Sequence, residues 1–252
     1  MCGRIALYTP PARLARLLEA ALAAGLDPDG APSWNVPPQE PLFGVADRGE
    51  GKGRVLDAYR WGLVPSWVDD PKVGNRMFNA RCETVTTKPS YRTAFERHRL
   101  LIPVDGFYEW DRRDGGKVPH YFTRADGEPM VLAGLYEFWR DRATPGAEWL
   151  QTCTVLTTTP GADLDDIHDR MPVVLERDAF ETWLTGADDE RDALVGLCAP
   201  ARAGTLVHHP VGGRVGNVDN DGPELIDEVA APQTLQPQLG DVFSGGQRGT
   251  SG

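Results

Sequence analysis

Short apolar runs of the kind that form β-strands dominate the chain after an initial strand predicted over Cys2–Tyr8. The connections between these runs are rich in Gly, Pro and Asp, which favour turns. This pattern is typical of a curved, mainly antiparallel sheet. Further strands are predicted at Leu42–Ala46, Val55–Trp61, Leu100–Pro103, Gly106–Trp110, His120–Thr123, Val131–Trp139, Leu150–Thr158 and Thr205–His208.

Helical spacing is confined to a few segments. A helix is predicted from Pro10 to about Ala24, where leucines recur at helical spacing and a glycine follows. Clustered strands with few short helices favour the α+β class, as a single barrel-like domain over residues 2–228. Residues 229–252 are rich in Gln, Gly, Ser and Pro and are expected to form a disordered tail. Shorter helices are predicted at Ser90–Arg97, Asp178–Leu184 and Glu190–Leu197.

Composition is that of an ordinary globular protein, with 252 residues of which 40% are hydrophobic. No apolar run approaches the roughly 18–20 residues that a membrane span needs, and the start turns polar too quickly for a secretory signal. We therefore expect a cytoplasmic protein without membrane contact. The four cysteines, at positions 2, 82, 153 and 198, lack metal-ligand spacing. We expect free thiols, with no metal, no other cofactor and no disulfide.

Charge is distributed unevenly. The net charge is −11, yet residues 54–124 hold 13 Lys and Arg against 9 Asp and Glu. A locally basic segment on an acidic body can steer a polyanion such as a nucleic acid to one face. Solvated surfaces produce the same segregation, so charge alone is weak evidence.

Cys2 is the most informative residue, because removal of the initiator Met would leave it at the amino terminus. It would then carry an α-amine, with a reference pKa of about 7.7–8.0, beside a thiol with one of about 8.5. An aldehyde can form a Schiff base with this amine and be trapped by the sulfur as a five-membered thiazolidine. On position alone, Cys2 is more simply a small residue that opens a strand.

Two tryptophans flank a Gly/Pro turn in the segment WGLVPSW. Trp61 ends a predicted strand and is expected to pack in the core. Trp67 precedes polar residues and is better placed to be exposed, where its ring could stack on an unpaired base. Core packing remains the alternative for Trp67.

Three further polar clusters interrupt apolar segments. In the segment NARCET, strand alternation would place Asn79, Arg81 and Glu83 on one face, although a salt-bridged surface edge explains the same letters. Glu109 lies between two aromatic residues, where desolvation would suit it to proton transfer, or where it could simply pair with an arginine. His168, two residues before an arginine, is either structural or an acid–base group beside a phosphate clamp.

In this order and spacing, the clusters resemble the SRAP family of abasic-site processing proteins, historically named SOS-response-associated peptidases. The resemblance covers residues 2 to about 225. At Cys82 the family often has Ala, a neutral-looking departure. The motifs that carry the resemblance are MCGR, Asn35-Val36-Pro37-Pro38, WGLVPSW, NARCET, LIPVDGFYEW, IHDRMPVVL and NVDNDGPEL.

The resemblance implies that the substrate is an abasic site in single-stranded DNA, whose ring-opened sugar exposes an aldehyde. The Cys2 amine and thiol would convert it to a thiazolidine crosslink. Glu109 would handle protons, and His168 would assist imine chemistry and reversal of the crosslink. Asn79 would hydrogen-bond the sugar or orient Cys2. A persistent imine would also give an AP-lyase side reaction.

The resemblance further implies that Arg81 and Arg170 clamp phosphates on either side of the lesion, with help from Arg4. Nothing in the sequence demands an obligate protein partner or more than a monomer. Two other functions stay open: a cysteine peptidase with an amino-terminal nucleophile, whose narrowest form removes only its own Met1, and a non-catalytic module that binds single-stranded DNA.

Overall fold

A computed structural model of the protein describes residues 2–49, 51–113, 116–187 and 190–230. Its helices are short, and most of its regular structure is β-strand. The strands are β1 (Ile5–Leu7), β2 (Ala21–Leu22), β3 (Ser33–Val36), β4 (Pro41–Asp47), β5 (Arg54–Trp61), β6 (Asn79–Arg81), β7 (Arg99–Val104), β8 (Gly106–Asp111), β9 (Val118–Arg124), β10 (Met130–Trp139), β11 (Leu150–Thr158), β12 (Met171–Pro172), β13 (Val174–Leu175) and β14 (Leu206–Pro210). The α-helices are α1 (Pro11–Leu17), α2 (Cys82–Val85), α3 (Pro89–Arg97), α4 (Phe180–Thr185) and α5 (Arg191–Gly196), and 3₁₀ turns cover Pro71–Arg76, Arg177–Ala179, Gly213–Gly216 and Pro223–Ile226.

The strands form two sheets. One is antiparallel, in the order β14-β9-β8-β1-β3. The other runs β12-β11-β10-β7-β4-β5-β2, and a parallel pairing of β11 with β5 closes five of its strands into a barrel. Strand β6 lies parallel to β11, and β13 pairs with β10. The predicted α+β, barrel-like fold is confirmed.

The first sheet separates two apolar clusters. Ile5, Phe107 and Phe122 lie in one cross-strand row on the face that joins the main core, where the two phenyl rings stack with centroids 5.0 Å apart. Full burial of such a side chain contributes about 1.5–3 kcal/mol. The opposite face carries a smaller cluster of Ala6, Tyr108, Tyr121, Val211 and Val215.

The predicted strands are confirmed with shifts of at most two residues at their ends, except that the strand predicted over Cys2–Tyr8 is shorter, because β1 covers only Ile5–Leu7. The first helix is also shorter than its leucine pattern indicates. The predicted helix to about Ala24 is wrong, since α1 ends at Leu17 and Glu19 adopts a positive φ of 54°. Ala21 and Leu22 instead pair with Val55 and Leu56 of β5. This pairing satisfies backbone N–H and C=O groups that would have formed hydrogen bonds within a longer helix. Tertiary pairing overrides the helical spacing here.

No helix in the described part of the chain is long and apolar enough to cross a membrane. The predicted tail lies outside the described residues, apart from positions 229 and 230.

Candidate active site

Cys2 lies three residues before β1 and is completely buried. A buried carboxylate holds the other end of that strand: Asp105 accepts hydrogen bonds from the backbone N–H groups of Tyr8 (2.6 Å) and Thr9 (2.8 Å). Strand β1 pairs with β8, and the register that aligns Ile5 with Phe107 extends to place Gly3 beside Glu109. The fold thus brings the start of the chain to the middle of the sheet.

Asn79 contacts Cys2 directly. Its Nδ2 donates a hydrogen bond of 2.6 Å to the carbonyl oxygen of Cys2. The pairing of β6 with β11 fixes Asn79 opposite Val155, and Tyr91 donates a hydrogen bond to its backbone carbonyl. Among the described residues, no group hydrogen-bonds the buried Oδ1 of Asn79. This oxygen is therefore available to an amine or a hydroxyl group that enters the site.

Glu109 and His168 form the acid–base part of the site. Glu109 is only 2% exposed, and its Oε2 lies 3.9 Å from Nε2 of His168. The backbone N–H of Arg170 donates to Nδ1 of His168 at 3.0 Å, and two acceptors lie near the same nitrogen, the carbonyl oxygen of Arg170 at 3.2 Å and Asp169 Oδ1 at 3.0 Å. Nδ1 of His168 therefore has a donor for the tautomer that is protonated at Nε2 and acceptors for a ring that is protonated at Nδ1.

The loop that carries His168 is anchored to the first sheet at two points. Asp163 accepts hydrogen bonds from the backbone N–H groups of Gly204 (2.8 Å) and Leu206 (3.0 Å), at the start of β14. Asp166 forms an ion pair with Arg113, which follows β8. These contacts hold the imidazole over the sheet face that presents Glu109.

The thiol of Cys2 is held in its neutral form. Burial, and then the negative charge of Glu109, raise its pKa well above the usual value. At neutral pH the sulfur therefore carries its proton, and any reaction at sulfur needs a group that can accept this proton. Glu109 is a carboxylate close enough for its charge to act on Cys2.

The guanidinium of Arg170 forms hydrogen bonds within the protein. It donates to both carboxylate oxygens of Glu83 (2.5 and 3.0 Å) and to the carbonyl oxygen of Thr157 (2.6 Å). The hydrogen bond from Arg170 is the main reason that the pKa of Glu83 lies below its usual value. The expected common strand face of Asn79, Arg81 and Glu83 is wrong, because α2 begins at Cys82. Arg81, at the junction, is exposed.

Arg4 points into the protein. One of its terminal nitrogens donates to Oδ1 of Asn35 and to the carbonyl oxygen of Val215, both at 2.6 Å. Burial lowers the pKa of Arg4. Asn35 in turn donates to the carbonyl oxygens of Asn217 (3.0 Å) and Asn220 (2.7 Å). No role in the site was predicted for Asn35 from the sequence. The motifs that contain Asn35 and Asn217 are nevertheless both among those that carry the family resemblance.

The two tryptophans of the turn motif are placed as predicted, with Trp61 fully buried and Trp67 58% exposed. The loop that carries Trp67 is closed by a tight approach of two glycines. A Cβ on Gly62, whose φ is +145°, would lie 2.5 Å from the carbonyl oxygen of Gly74. The backbone on both sides of Trp67 is therefore held in one arrangement.

Fold and site together define a protein with a closed barrel, in which a cysteine three residues before β1 lies near an asparagine, a carboxylate and an imidazole from three other segments. Among the described residues, no group of His, Cys, Asp or Glu side chains is arranged to hold a metal ion. The sequence model of one family, "SOS response associated peptidase (SRAP)", matches residues 1–218. The chain belongs to the SRAP family.

Relatives with established names share most of this chain. It is 36% identical over 230 residues to the abasic site processing protein YoqW of Bacillus subtilis (strain 168), covering 90% of this chain and 99% of the relative. It is 34% identical over 275 residues to the abasic site processing protein HMCES of Gallus gallus, covering 94% and 81%. It is 32% identical over 235 residues to the abasic site processing protein YedK of Escherichia coli (strain K12), covering 91% and 100%.

A crystal structure of a protein from Bacteroides thetaiotaomicron has the same fold. It superposes with a TM-score of 0.76 at 20% sequence identity, covering 91% of this chain and all of the other.

Proposed function

We propose that this protein recognises abasic sites in single-stranded DNA and, once Met1 is removed, links covalently to them through Cys2. The observation that carries the proposal is the fixed position of Cys2. Its carbonyl oxygen accepts a hydrogen bond from Asn79, and the negative charge of Glu109 raises the pKa of its thiol. The names of the relatives supply the substrate class, since YoqW, HMCES and YedK are all abasic site processing proteins.

The reaction begins at the aldehyde carbon C1′ of the ring-opened sugar. The α-amine of Cys2 attacks C1′ to give a carbinolamine, and loss of water gives an imine. The sulfur of Cys2 then bonds to C1′, its proton passes to the nitrogen, and a thiazolidine ring results. Because burial keeps this thiol protonated, ring closure depends on a group that moves the proton from sulfur to nitrogen.

Glu109 is the group that we assign to these proton transfers. As a carboxylate it accepts a proton from the attacking amine, and as a carboxylic acid it returns that proton to the departing water. His168 Nε2, 3.9 Å from Glu109 Oε2, supplies a second acid–base group for the imine and for reversal of the crosslink. The free Oδ1 of Asn79 accepts a hydrogen bond from the Cys2 amine or from a sugar hydroxyl group.

The imine can also lose the proton at C2′, after which the 3′ phosphate leaves and the strand breaks. This is the AP-lyase reaction, and it competes with closure of the thiazolidine ring. Attack by the sulfur of Cys2 removes the imine and so protects the strand. The balance between crosslink and cleavage then depends on how quickly the buried thiol gives up its proton.

Contacts to DNA are assigned to the rim of the site. The exposed Arg81 can bind a phosphate directly. Arg170 must break its ion pair with Glu83 before it binds a phosphate. Trp67 stacks on an unpaired base, a contact worth about 1–3 kcal/mol. Arg4 supports the site from within through Asn35. Phosphate contacts make the affinity fall as salt rises.

Access to the buried nucleophile is part of the proposal. Cys2 has no exposed surface in the full-length chain, so the sugar can reach it only after a local rearrangement. Removal of Met1 is the change that the chemistry already requires, because it frees the amine. We assign the whole reaction to the domain of residues 2–228, acting as a monomer without a cofactor.

The test compares three substrates: an abasic single strand, the same strand intact, and an activated peptide ester. We expect a covalent band on a denaturing gel with the abasic strand alone. Equal non-covalent binding of both strands without such a band would indicate a plain binding module. Release of the alcohol from the ester, without a DNA band, would indicate a peptidase.

A further inference from the structure

The hairpin between β10 and β11 carries an exposed aromatic surface that lies outside the site described above. Trp149 precedes β11 and is 58% exposed. It packs edge to face against Phe138, with ring centroids 6.5 Å apart and an interplanar angle of 82°. Phe138, Trp149 and Gln151 line a shallow depression of about 390 Å³. The exposed indole and the phenyl ring together form one contiguous aromatic surface beside this depression.

An arginine completes this surface. The register of the hairpin sets Arg140 opposite Trp149, and the guanidinium carbon of Arg140 lies 4.6 Å from the centroid of the indole ring. Bases of single-stranded nucleic acids stack on aromatic side chains and on arginine planes alike. Phe138, Arg140, Trp149 and Gln151, hereafter the Trp149 platform, therefore offer stacking surfaces of both kinds.

The same hairpin also holds Trp67. Trp139 donates from its indole nitrogen to the carbonyl oxygen of Val68 at 2.7 Å, and Arg142 donates to that of Ser66 at 2.8 Å. The residues on both sides of Trp67 are thus bonded to the strand and loop that lead to Trp149. Trp67 and Trp149 are the two tryptophans that are exposed in the described part of the chain, and one rigid hairpin connects them.

We propose that the Trp149 platform binds an unpaired base of the same single strand whose abasic sugar reacts at Cys2. This inference rests on the proposed function, and it extends the DNA path from Trp67 around the hairpin. Val155 of β11 pairs with Asn79, and Trp149 precedes Val155 by six residues. At about 3.3 Å per residue along a strand, Trp149 therefore lies about 20 Å from the level of Asn79. The base on the platform is therefore several nucleotides away from the lesion.

Charge indicates how the platform binds. The hairpin carries Arg140 and Arg142 but also Asp141 and Glu148, and the carboxylate of Asp141 is bonded within the turn to Ala143 and Thr144. With no net positive charge, this surface gains little from phosphates and binds through ring stacking. Its contribution to affinity is therefore nearly independent of salt, unlike that of phosphate contacts.

The test measures the affinity of the Met-processed protein for two strands that contain a tetrahydrofuran analogue of the abasic sugar, which has no aldehyde and cannot crosslink. One strand is a trinucleotide and the other has fifteen nucleotides. We expect Trp149→Ala to weaken binding of the longer strand by about 5- to 150-fold, which corresponds to one stacked base. The matched variant Trp149→Phe keeps a ring and should stay within about threefold of the wild type.

Two results would overturn the inference. Unchanged binding of the fifteen-nucleotide strand by Trp149→Ala would show that no base occupies the platform. An equal loss on both strands would show that Trp149 supports the fold or the lesion site instead. A parallel reaction of the wild-type protein with a true abasic strand separates the two proposals: its failure removes the crosslinking function, while the comparison of analogue strands still reports on the platform.

Discussion

The side-chain amide of Asn79 donates a hydrogen bond of 2.6 Å to the carbonyl oxygen of Cys2, and this contact joins two residues that are 77 positions apart in the sequence. It fixes the backbone of the nucleophile rather than its sulfur. A reaction that must bring both the nitrogen and the sulfur of one residue to one carbon benefits from such a fixed backbone, because both atoms then approach C1′ from a set direction.

Asn79→Ala should slow crosslinking about tenfold, the cost of roughly 1.4 kcal/mol that a lost hydrogen bond and a misplaced backbone can produce. The measurement is the single-turnover rate with an abasic single strand at saturating protein. Asn75→Ala removes an amide on the same loop that contacts Arg60, away from Cys2, and should react at the wild-type rate. If Asn79→Ala reacts as fast as Asn75→Ala, then Asn79 has no role in the reaction.

Glu109→Gln keeps the shape of the side chain but cannot accept a proton. It should lower the single-turnover rate about 10²- to 10⁴-fold and leave the affinity for a tetrahydrofuran strand nearly unchanged. Because His168 lies 3.9 Å from Glu109, the double variant with His168→Gln should lose less than the product of the two single losses. Strictly multiplicative losses would indicate that the two groups act independently.

Glu83→Gln tests the assignment of Arg170 to phosphate binding. Loss of the carboxylate removes the anion that holds the guanidinium, so the affinity for single-stranded DNA should rise at low salt. The slope of log affinity against log salt should not change by the roughly 0.7 that one added phosphate contact on a single strand would give, because Arg170 binds its phosphate in both proteins. Glu181→Gln changes the charge equally at the distant pair with Arg54 and provides the control. The same gain in both variants would mean that only overall charge matters.

Stability at alkaline pH should depend on Cys153, a buried thiol whose pKa is raised by burial alone. The unfolded chain releases this proton near pH 8.5 while the folded chain keeps it, so the free energy of unfolding falls as pH rises above that value. The loss approaches about 1.4 kcal/mol per pH unit for each such group. Cys153→Ala should be less stable at pH 7 but should lose less stability above pH 9. Parallel curves from urea unfolding would contradict this account.

Much of the fold could be predicted because its strands are local apolar runs bounded by turns. The interval Leu150–Thr158 is matched to the residue, and Glu148 and Pro160 lie two residues outside its ends. The helix from Pro10 was predicted too long, because Leu22 follows helical spacing while its backbone pairs with β5. Local periodicity carries no information about a partner strand more than thirty residues away.

The candidate site was harder to predict from the sequence than the fold. Each of Cys2, Asn79, Glu109 and His168 has an ordinary structural interpretation alone. Their segments are brought together by the pairings β1–β8 and β6–β11 and by the contacts that anchor the loop of His168. The family resemblance grouped these residues before any geometry was available. It did not reveal that Arg170 is bonded to Glu83 or that Arg4 is buried, since ion pairs between distant segments leave no local pattern.

Charge segregation along the chain was a poor guide to the surface. Several arginines of the basic segment are neutralised or buried in the folded protein. Arg54 pairs with Glu181, and Arg124 pairs with Asp126. Arg99 is buried and donates to the backbone carbonyl oxygens of Phe95 and Trp183. A basic stretch of sequence therefore does not translate directly into a basic face.

The most direct test of the central claim is the intact mass of the product that forms between Met-processed protein and an abasic single strand, with and without borohydride. The wild type should give protein plus strand minus water without borohydride, and this mass should not gain hydrogen when borohydride is added, because a thiazolidine has no imine to reduce. Cys2→Ala keeps an amine but lacks the sulfur, so it should give an adduct only with borohydride. A borohydride-independent adduct of Cys2→Ala at the wild-type yield would contradict thiazolidine formation at Cys2.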